Sequence, residues 1–263
     1  MKRILIGAWA LAALAACDDP TRPAEQPVTP SVTAVKPQFT VRDLGTLGGD
    51  FGGALALNSR GEVVGQATTP SGDLHAFLWR AERGMRDLGT LGGGYSIARG
   101  INDQRQVAGE SELPSGAVRA FIWSAAHGMT SLGTLGGNFS NSWGLNNRGE
   151  VAGTSGNGRD QVHAFLWRPG GGMLDLGTLG GRSSEARGIN DASQVVGFSD
   201  TPSGESHAFL WTIDRGMEDL GTLGGAGSLA FAISPTGEVT GTSETPAGTA
   251  EFFLWTRKDG MRS

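Results

Sequence analysis

Three histidines stand at matching places in a repeated phrase, and histidine is a common ligand of zinc. His75, His163 and His207 each open the phrase HAFLW, but the two other copies of the phrase begin with Arg119 and Glu251. In the architecture inferred below, these residues fall on third strands, which lie away from the shared axis, so the side chains cannot converge. The sequence therefore predicts no metal site.

Aspartates also recur once per repeat, at Asp43, Asp87, Asp175 and Asp219. Paired catalytic carboxylates in glycosidases are about 5–10 Å apart, and copies on neighbouring repeats are farther apart than that. We expect these side chains to accept hydrogen bonds from N–H groups of turns. The chain has no G-x-S-x-G, H-E-x-x-H, P-loop, paired-cysteine or calcium-loop motif. We therefore expect no catalytic residue, no cofactor and no enzymatic activity.

The elements that carry these residues repeat with a period of 44. The phrase DLGTLGG, or SLGTLGG in one copy, begins at Asp43, Asp87, Ser131, Asp175 and Asp219, and HAFLW keeps the same spacing. Glycine makes up 44 of the 263 residues, and its periodic placement indicates repeated turns. Residues 38–263 are therefore predicted to form one array of five repeats.

The second repeat predicts four strands separated by turn residues. They cover residues 96–101, 106–110, 119–124 and 129–135. Asn102 lies in the tight turn between the first two strands, and we expect Asn58, Asn146 and Asn190 to close the equivalent turns. Four strands in 44 residues is a spacing typical of antiparallel all-β architecture.

Both faces of the HAFLW strand are largely apolar, because Phe77 and Trp79 point one way and Ala76 and Leu78 point the other. Such a sheet is covered on both sides by sheets like itself. Four-stranded antiparallel sheets arranged radially form a β-propeller, here with five blades. A wide β-solenoid and an incomplete ring that closes only in an oligomer remain the alternatives.

The sequence also predicts how this ring closes. FTVRDLGTL, at residues 39–47, matches the fourth strand of each repeat, and the chain reaches Met261-Arg262-Ser263 where a fifth copy would begin. We expect this N-terminal strand to complete the last blade and leave no open edge. In that arrangement residues 41–43 overlap residues 261–263, so one of the two segments must yield or pair only partly.

These phrases resemble a known bacterial family. DLGTLGG, HAFLW and the Ile-Asn-Asp turns at Ile101 and Ile189 are similar to the HAF repeat, which is described as an extracellular repeat. The resemblance covers residues 43–263 and implies an exported bacterial protein, with no established activity. The chain departs from the pattern at Arg119, at Glu251-Phe252 and at Ser234-Pro235.

The first 16 residues have the pattern of a signal peptide, with Lys2 and Arg3 followed by an apolar run too short to cross a bilayer. The closing phrase LAAC resembles the lipobox of bacterial lipoproteins, which implies lipidation of Cys17 and a membrane anchor. An ordinary signal peptide cut after Ala16 is the alternative. Residues 17–37 contain five prolines and predict an extended tether. We expect an exported lipoprotein of the bacterial envelope, either periplasmic or at the cell surface.

Two stretches differ most between the repeats: the start of the first strand and the loop between the second and third strands. Both connections emerge at one end of the sheets, and variable loops on a constant scaffold are where binding sites are commonly found. Aromatic and arginine side chains are frequent anchors of binding sites. The candidate ligand-binding residues are Tyr95, Arg99, Phe139, Trp143, Arg187 and Phe231. The alternative is that the aromatic side chains only plug the channel.

A net charge of −5 disfavours nucleic acid as a partner. We therefore expect a non-enzymatic binding module, a monomer held at the membrane by its lipid, with an unidentified protein or glycan as ligand. A glycan-binding lectin is the first rival. A polysaccharide hydrolase or lyase is the second, although fold analogy alone favours it, and a purely structural envelope protein is the third.

Overall fold

The computed structural model describes residues 40–263. All regular secondary structure in that range consists of β-strands. Twenty strands form five sheets, each built from four consecutive strands in sequence order. All paired strands are antiparallel. The predicted all-β architecture of five four-stranded sheets is confirmed.

The bounds of the strands follow the period of the sequence. The first sheet holds β1 (Gly52–Leu57), β2 (Val63–Thr68), β3 (Leu74–Arg80) and β4 (Gly84–Asp87), and the second holds β5 (Ser96–Ile101), β6 (Val107–Glu112), β7 (Val118–Ser124) and β8 (Gly128–Ser131). The third holds β9 (Gly136–Leu145), β10 (Val151–Asn157), β11 (Val162–Arg168) and β12 (Gly172–Asp175). The fourth holds β13 (Ser184–Ile189), β14 (Val195–Asp200), β15 (Ser206–Thr212) and β16 (Gly216–Asp219), and the fifth holds β17 (Ser228–Ile233), β18 (Val239–Glu244), β19 (Ala250–Thr256) and β20 (Gly260–Arg262).

The fourth strands are shorter than the sequence predicts. In the second sheet β8 ends at Ser131, not at residue 135. The cause is the Gly that follows, because Gly89 and Gly133 have positive φ values of 73° and 81°, which a strand does not accommodate. In the first sheet the Asp87 carboxylate also accepts a hydrogen bond from the Gly89 N–H at 2.7 Å. The LGTLGG phrase therefore mainly connects one sheet to the next, and in the third sheet its last two glycines begin β9.

The sheets are arranged with their first strands innermost. First strands of consecutive sheets contact one another, whereas the fourth strands make their main contacts with the third strands of their own sheets. At one end the five turns that follow the first strands surround a single cavity of about 310 Å³. Leu57 of the first sheet and Ile233 of the fifth both line this cavity. The five sheets therefore share one axis.

The core lies between consecutive sheets. Val64, Ala76 and Leu78 of the first sheet pack in one cluster with Val107 and Phe121 of the second. Equivalent clusters join the second sheet to the third, the third to the fourth and the fourth to the fifth. Each internal sheet buries both faces against its neighbours, as the apolar alternation of HAFLW predicts.

The predicted closure by an N-terminal strand is wrong. Residues 40–46 form no strand, and the fifth sheet is completed by its own outer strand, β20, which pairs with β19. The overlap with residues 261–263 is resolved in favour of the C-terminal segment, which is adjacent in sequence to β19 and reaches it through a tight turn. Leu44 and Leu47 instead pack on the first sheet, against Phe77 and Trp79.

The first and fifth sheets do not contact each other as consecutive sheets do within residues 40–263. Their unpaired faces are apolar: Leu57 is 70% exposed, and Phe252 of the fifth sheet is 81% exposed. The predicted signal peptide (1–16), Cys17 and the tether (17–37) lie outside the described residues. Within residues 40–263, no helix is long and apolar enough to cross a bilayer.

Candidate functional site

The two ends of the array differ in how much of their surface is committed to holding the sheets together. At the end with the tight turns, the amide of Asn58 donates to the carbonyl oxygen of Asn102 in the next sheet at 3.1 Å. The same bond joins Asn102 to Asn146, Asn146 to Asn190 and Asn190 to Ser234, each at 3.0 Å. We call this row the asparagine ladder.

Each ladder asparagine also closes its own turn. The Asn146 side-chain oxygen accepts from the N–H groups of Arg148 and Glu150 at 3.0 and 2.9 Å, and its amide donates to the Glu150 carboxylate at 2.7 Å. The prediction that these asparagines close the turns is therefore confirmed. The bond to the next sheet was not predicted, although its partners lie one period of 44 residues apart.

Carboxylates strengthen the same end. Glu62 is buried and accepts from the Asn58 amide at 2.8 Å and from the Arg105 guanidinium of the next sheet at 2.6 Å. Burial raises the pKa of Glu62, but these two hydrogen bonds outweigh it and hold the pKa below its usual value. The carboxylate is therefore a charged link between the first and second sheets.

The repeated histidines pair with the repeated aspartates. His75 contacts Asp87 at 2.9 Å, and the matching pairs are His163 with Asp175 and His207 with Asp219, both at 2.8 Å. Each pair joins the third strand to the end of the fourth strand of the same sheet. The aspartates also accept from the N–H of the glycine two residues later, as predicted. Within residues 40–263 no group of three or more ligating side chains is arranged to hold a metal ion.

The residue that varies most on each first strand occupies a β-bulge. The register between first and second strands shifts at the same place in every sheet, around Leu55, Arg99, Trp143, Arg187 and Phe231. A bulge adds one residue opposite a single partner and redirects its side chain. Because the first strands are innermost, these five residues lie around the shared axis, in the space that we call the channel.

Three of the six predicted site residues form a stack in that channel. The Arg99 and Arg187 guanidinium carbons each lie 4.4 Å from the centre of the Trp143 ring, one from each neighbouring sheet. The Glu110 carboxylate accepts from Arg99 at 2.6 and 3.0 Å, and Glu185 accepts from Arg187 at 2.7 Å. The two arginines are therefore fixed by both stacking and ion pairing.

The other three predicted residues are not part of the stack. Phe231 stands on the next innermost strand, 45% exposed, and Leu55 is 48% exposed at the same position of the first sheet. Tyr95 lies at the loop-bearing end, beside Leu74 of the preceding sheet. Burial and the nearby Glu110 and Glu112 carboxylates raise its pKa.

Phe139 lines a separate cleft at the loop-bearing end of the third sheet. No ring contact among the described residues joins Tyr95 or Phe139 to the stack. The predicted set of six is therefore divided between the channel and the loop-bearing end.

Sequence reasoning missed Glu110, Glu185 and Phe198, which hold the two arginines from within their own sheets. The Phe198 ring lies 5.3 Å from the Arg187 guanidinium. A signal was present, since Glu110 stands on the second strand opposite the bulge of Arg99, and a buried carboxylate commonly has a cationic partner. The Nε of Arg187 is buried and has no hydrogen-bond partner in the described part of the chain.

Comparison with known proteins bears on the fold alone. No family model matches this chain, and no curated protein matches it. TolB from Acinetobacter baumannii superposes with a TM-score of 0.51 at 10% identity, over 76% of this chain and 51% of TolB. The BP39L lectin from Burkholderia pseudomallei has a TM-score of 0.45 at 8% identity, over 77% of this chain and 65% of the lectin.

A third solved structure, the six-bladed β-propeller lectin of Aleuria aurantia, has a TM-score of 0.34 at 12% identity, over 79% of this chain and 74% of the lectin. The present chain spans about half the length of TolB and two thirds or less of BP39L. With its five four-stranded sheets around one axis, the chain is an all-β protein of the β-propeller type.

Proposed function

We propose that this protein is a non-enzymatic binding module that holds a protein or glycan ligand in the channel between its sheets. The observation that carries the proposal is the Arg99–Trp143–Arg187 stack beside the exposed Phe231 ring. Fixed polar groups together with an exposed apolar ring are the composition of a specific binding site, in which a few placed polar groups orient the ligand.

The contacts of the stack limit what the ligand meets. Both arginines are already paired with carboxylates, so the stack is close to neutral and offers N–H donors more than net positive charge. The Trp143 ring lies between two guanidinium groups, which leaves its edge for a ligand. Stacking against an aromatic face is therefore left to Phe231.

We further propose that the protein works at the bacterial envelope. The LAAC phrase before Cys17, the proline-rich tether and the resemblance to the HAF repeat support an exported, lipid-anchored protein. Labelling of the full chain with a radioactive fatty acid in a Gram-negative host tests the anchor. Incorporation that disappears in Cys17→Ala supports it, and incorporation that persists in the variant contradicts it.

A glycan ligand is favoured over a catalytic function by the use of the channel carboxylates. Glu110 and Glu185 each form an ion pair with an arginine, so both carboxylates already hold side chains of the protein in place. Release of reducing sugar from bacterial polysaccharides at a rate that falls in Glu110→Gln would instead identify a hydrolase.

The channel site is tested by screening the full chain against immobilised oligosaccharides and a peptide library. Trp143→Ala/Arg187→Ala removes two members of the stack. Lys258→Ala, in the exposed turn between β19 and β20, is the control. We expect the double variant to lose at least about tenfold in affinity, as expected from removal of a central anchor, while Lys258→Ala binds normally. Equal binding by all three proteins would reject the channel site.

A further inference from the structure

The loops between second and third strands follow one plan in four repeats. Each has a proline as its second residue: Pro70, Pro114, Pro202 and Pro246. Each proline covers a glycine of the preceding LGG phrase so closely that a Cβ on that glycine would lie 2.9–3.0 Å from the proline ring. The glycines are Gly48, Gly92, Gly180 and Gly224. The proline thus fills the space between the loop and the connection.

The third repeat departs from this plan at three positions of one loop. Gly158 replaces the proline, so Gly136 meets only the backbone of Gly158. Asp160, with a φ of 56°, replaces a glycine that has a positive φ in the four other loops. Gly156 stands where the other repeats have a threonine or an acid: Thr68, Glu112, Asp200 and Glu244.

These changes accompany an open cleft that is lined by polar and aromatic side chains. The cleft has a volume of about 510 Å³, within the range of ligand pockets, and its walls include Asn138, Phe139, Asp160 and Gln161. The Phe139 ring packs on the bare backbone of Gly156, where a Cβ would lie 3.3 Å from two ring carbons. The absence of a side chain at Gly156 therefore makes room for the Phe139 ring as an aromatic wall of the cleft.

The third-repeat loop has its carboxylate at a different position from the second-repeat loop. In the second repeat the Glu112 carboxylate accepts a hydrogen bond from the Gly94 N–H at 2.7 Å. The equivalent residue of the third repeat, Gly156, has no side chain and cannot accept this bond. In the described part of the chain, the Asp160 carboxylate and the Asn138 amide make no hydrogen bond to the protein. A non-glycine residue in the left-handed region is uncommon, and aspartate is among the few that tolerate it. The loop thus places a free acceptor at a conformationally costly position.

We propose that this third-repeat cleft binds a neutral saccharide. An aromatic ring beside planar amide and carboxylate groups offers an apolar surface together with acceptors and donors for neighbouring hydroxyl groups. The glycine backbone of Gly136, Gly137 and Gly158 lets a sugar ring approach closely. The Asp160 carboxylate disfavours an anionic ligand. This site lies outside the channel stack, so it goes beyond the proposed function and stands or falls separately.

The test uses the full chain on an array of neutral oligosaccharides, with a peptide array in parallel. Gly158→Pro/Asp160→Gly restores the plan of the other four loops and closes the cleft, and Asp160→Asn removes only the charge. Ser115→Ala, at an exposed position of the second-repeat loop, is the matched control. We expect the wild type and Ser115→Ala to retain the same oligosaccharides, Asp160→Asn to bind about tenfold more weakly, as for loss of one charge-assisted hydrogen bond, and the double variant not to bind.

Three results would overturn the proposal: retention of no neutral oligosaccharide by the wild type, retention of peptides alone, or equal retention by wild type and the loop variants. If the double variant fails to fold, Asp160→Asn decides the matter by itself. Binding that survives closure of the cleft but is lost in Trp143→Ala/Arg187→Ala would reject the cleft and support the channel site.

Discussion

The two ends of this array are built from the same five repeats, yet the asparagine ladder runs along only one of them. At the turn-bearing end the asparagine ladder joins each sheet to the next with nearly constant distances. At the loop-bearing end the repeats differ in sequence, and the third has an open cleft where others have a proline. A repeat protein thus separates the residues that hold the fold from those free to vary.

The first and fifth sheets differ from the internal sheets in the residues that form the junctions. The fifth repeat has Ser234 in place of the ladder asparagine, and serine has no amide to reach a following sheet. At the internal junctions a serine hydroxyl accepts the N–H of an alanine in the preceding sheet, as Ser96 does for Ala76 at 2.8 Å. The first sheet has Gly52 at the serine position, and the fifth has Phe252 at the alanine position. The first sheet therefore lacks the serine hydroxyl of a standard junction and the fifth sheet lacks the ladder amide, whereas the Phe252 N–H remains as a donor.

The largest effect is expected in the ladder. Asn146→Ala removes four hydrogen bonds and leaves buried partners unpaired, so we expect it to lower the free energy of unfolding by about 3 kcal/mol. Ser234→Ala removes the turn-closing hydrogen bonds at the same position of the fifth repeat but no bond to another sheet, so it is the matched control and should cost less, about 1 kcal/mol. Urea unfolding measures both values, and equal losses would show that the ladder adds no stability to the internal junctions.

A smaller effect is expected at low pH. Because the folded pKa of Glu62 lies below its unfolded value, its stabilising contribution is complete above about pH 4.3 and is lost as the pH falls through the folded value. Glu62→Gln should therefore lose stability at pH 7 and depend less on pH between about 5 and 3 than the wild type. Glu82→Gln, at an exposed turn, should follow the wild type. An unchanged acid limb in Glu62→Gln would contradict the linkage.

The 44-residue repeat made most of the architecture predictable from the sequence. Individual side-chain contacts between sheets could not be predicted in the same way. The two-sided apolar pattern of HAFLW is a local property, and it predicted sheets packed on both faces. The prediction of the closure was wrong because residues 39–47 and the segment at Met261 both have the sequence pattern of a fourth strand. Sequence alone does not show which of the two segments pairs with β19. The stack of Arg99, Trp143 and Arg187 depends on the spacing between sheets, which no pattern within one repeat contains.

The channel stack should matter less for stability than the ladder. Trp143→Ala/Arg187→Ala removes three contacts between a ring and a guanidinium group, of about 0.5–1 kcal/mol each, so we expect a loss of about 2–3 kcal/mol. The matched variant Trp211→Ala, which truncates a ring buried between the third and fourth sheets, should cost about 3–5 kcal/mol. Thermal unfolding ranks the two variants, and a larger loss in the channel variant would assign the stack to the core.

The smallest effect is expected in the third loop, and its sign is opposite. Gly158→Pro/Asp160→Gly should leave the free energy of unfolding unchanged or raise it by up to about 1 kcal/mol, because proline restricts the unfolded chain at a site where four repeats already have it. The reverse exchange in the fourth repeat, Pro202→Gly/Gly204→Asp, should lower stability by a similar amount. A destabilised third-loop variant would show that Gly158 and Asp160 serve the fold.

Hydrogen–deuterium exchange of the full chain, read by mass spectrometry with and without a neutral oligosaccharide selected on the array, tests the division between the two ends most directly. We predict slow exchange of the ladder turns at residues 58–62, 102–106, 146–150 and 190–194 in both conditions, with added protection on binding confined to residues 136–139 and 157–161. Protection that appears in the ladder turns, or fast exchange there in the free protein, would contradict the assignment of stability to one end and binding to the other.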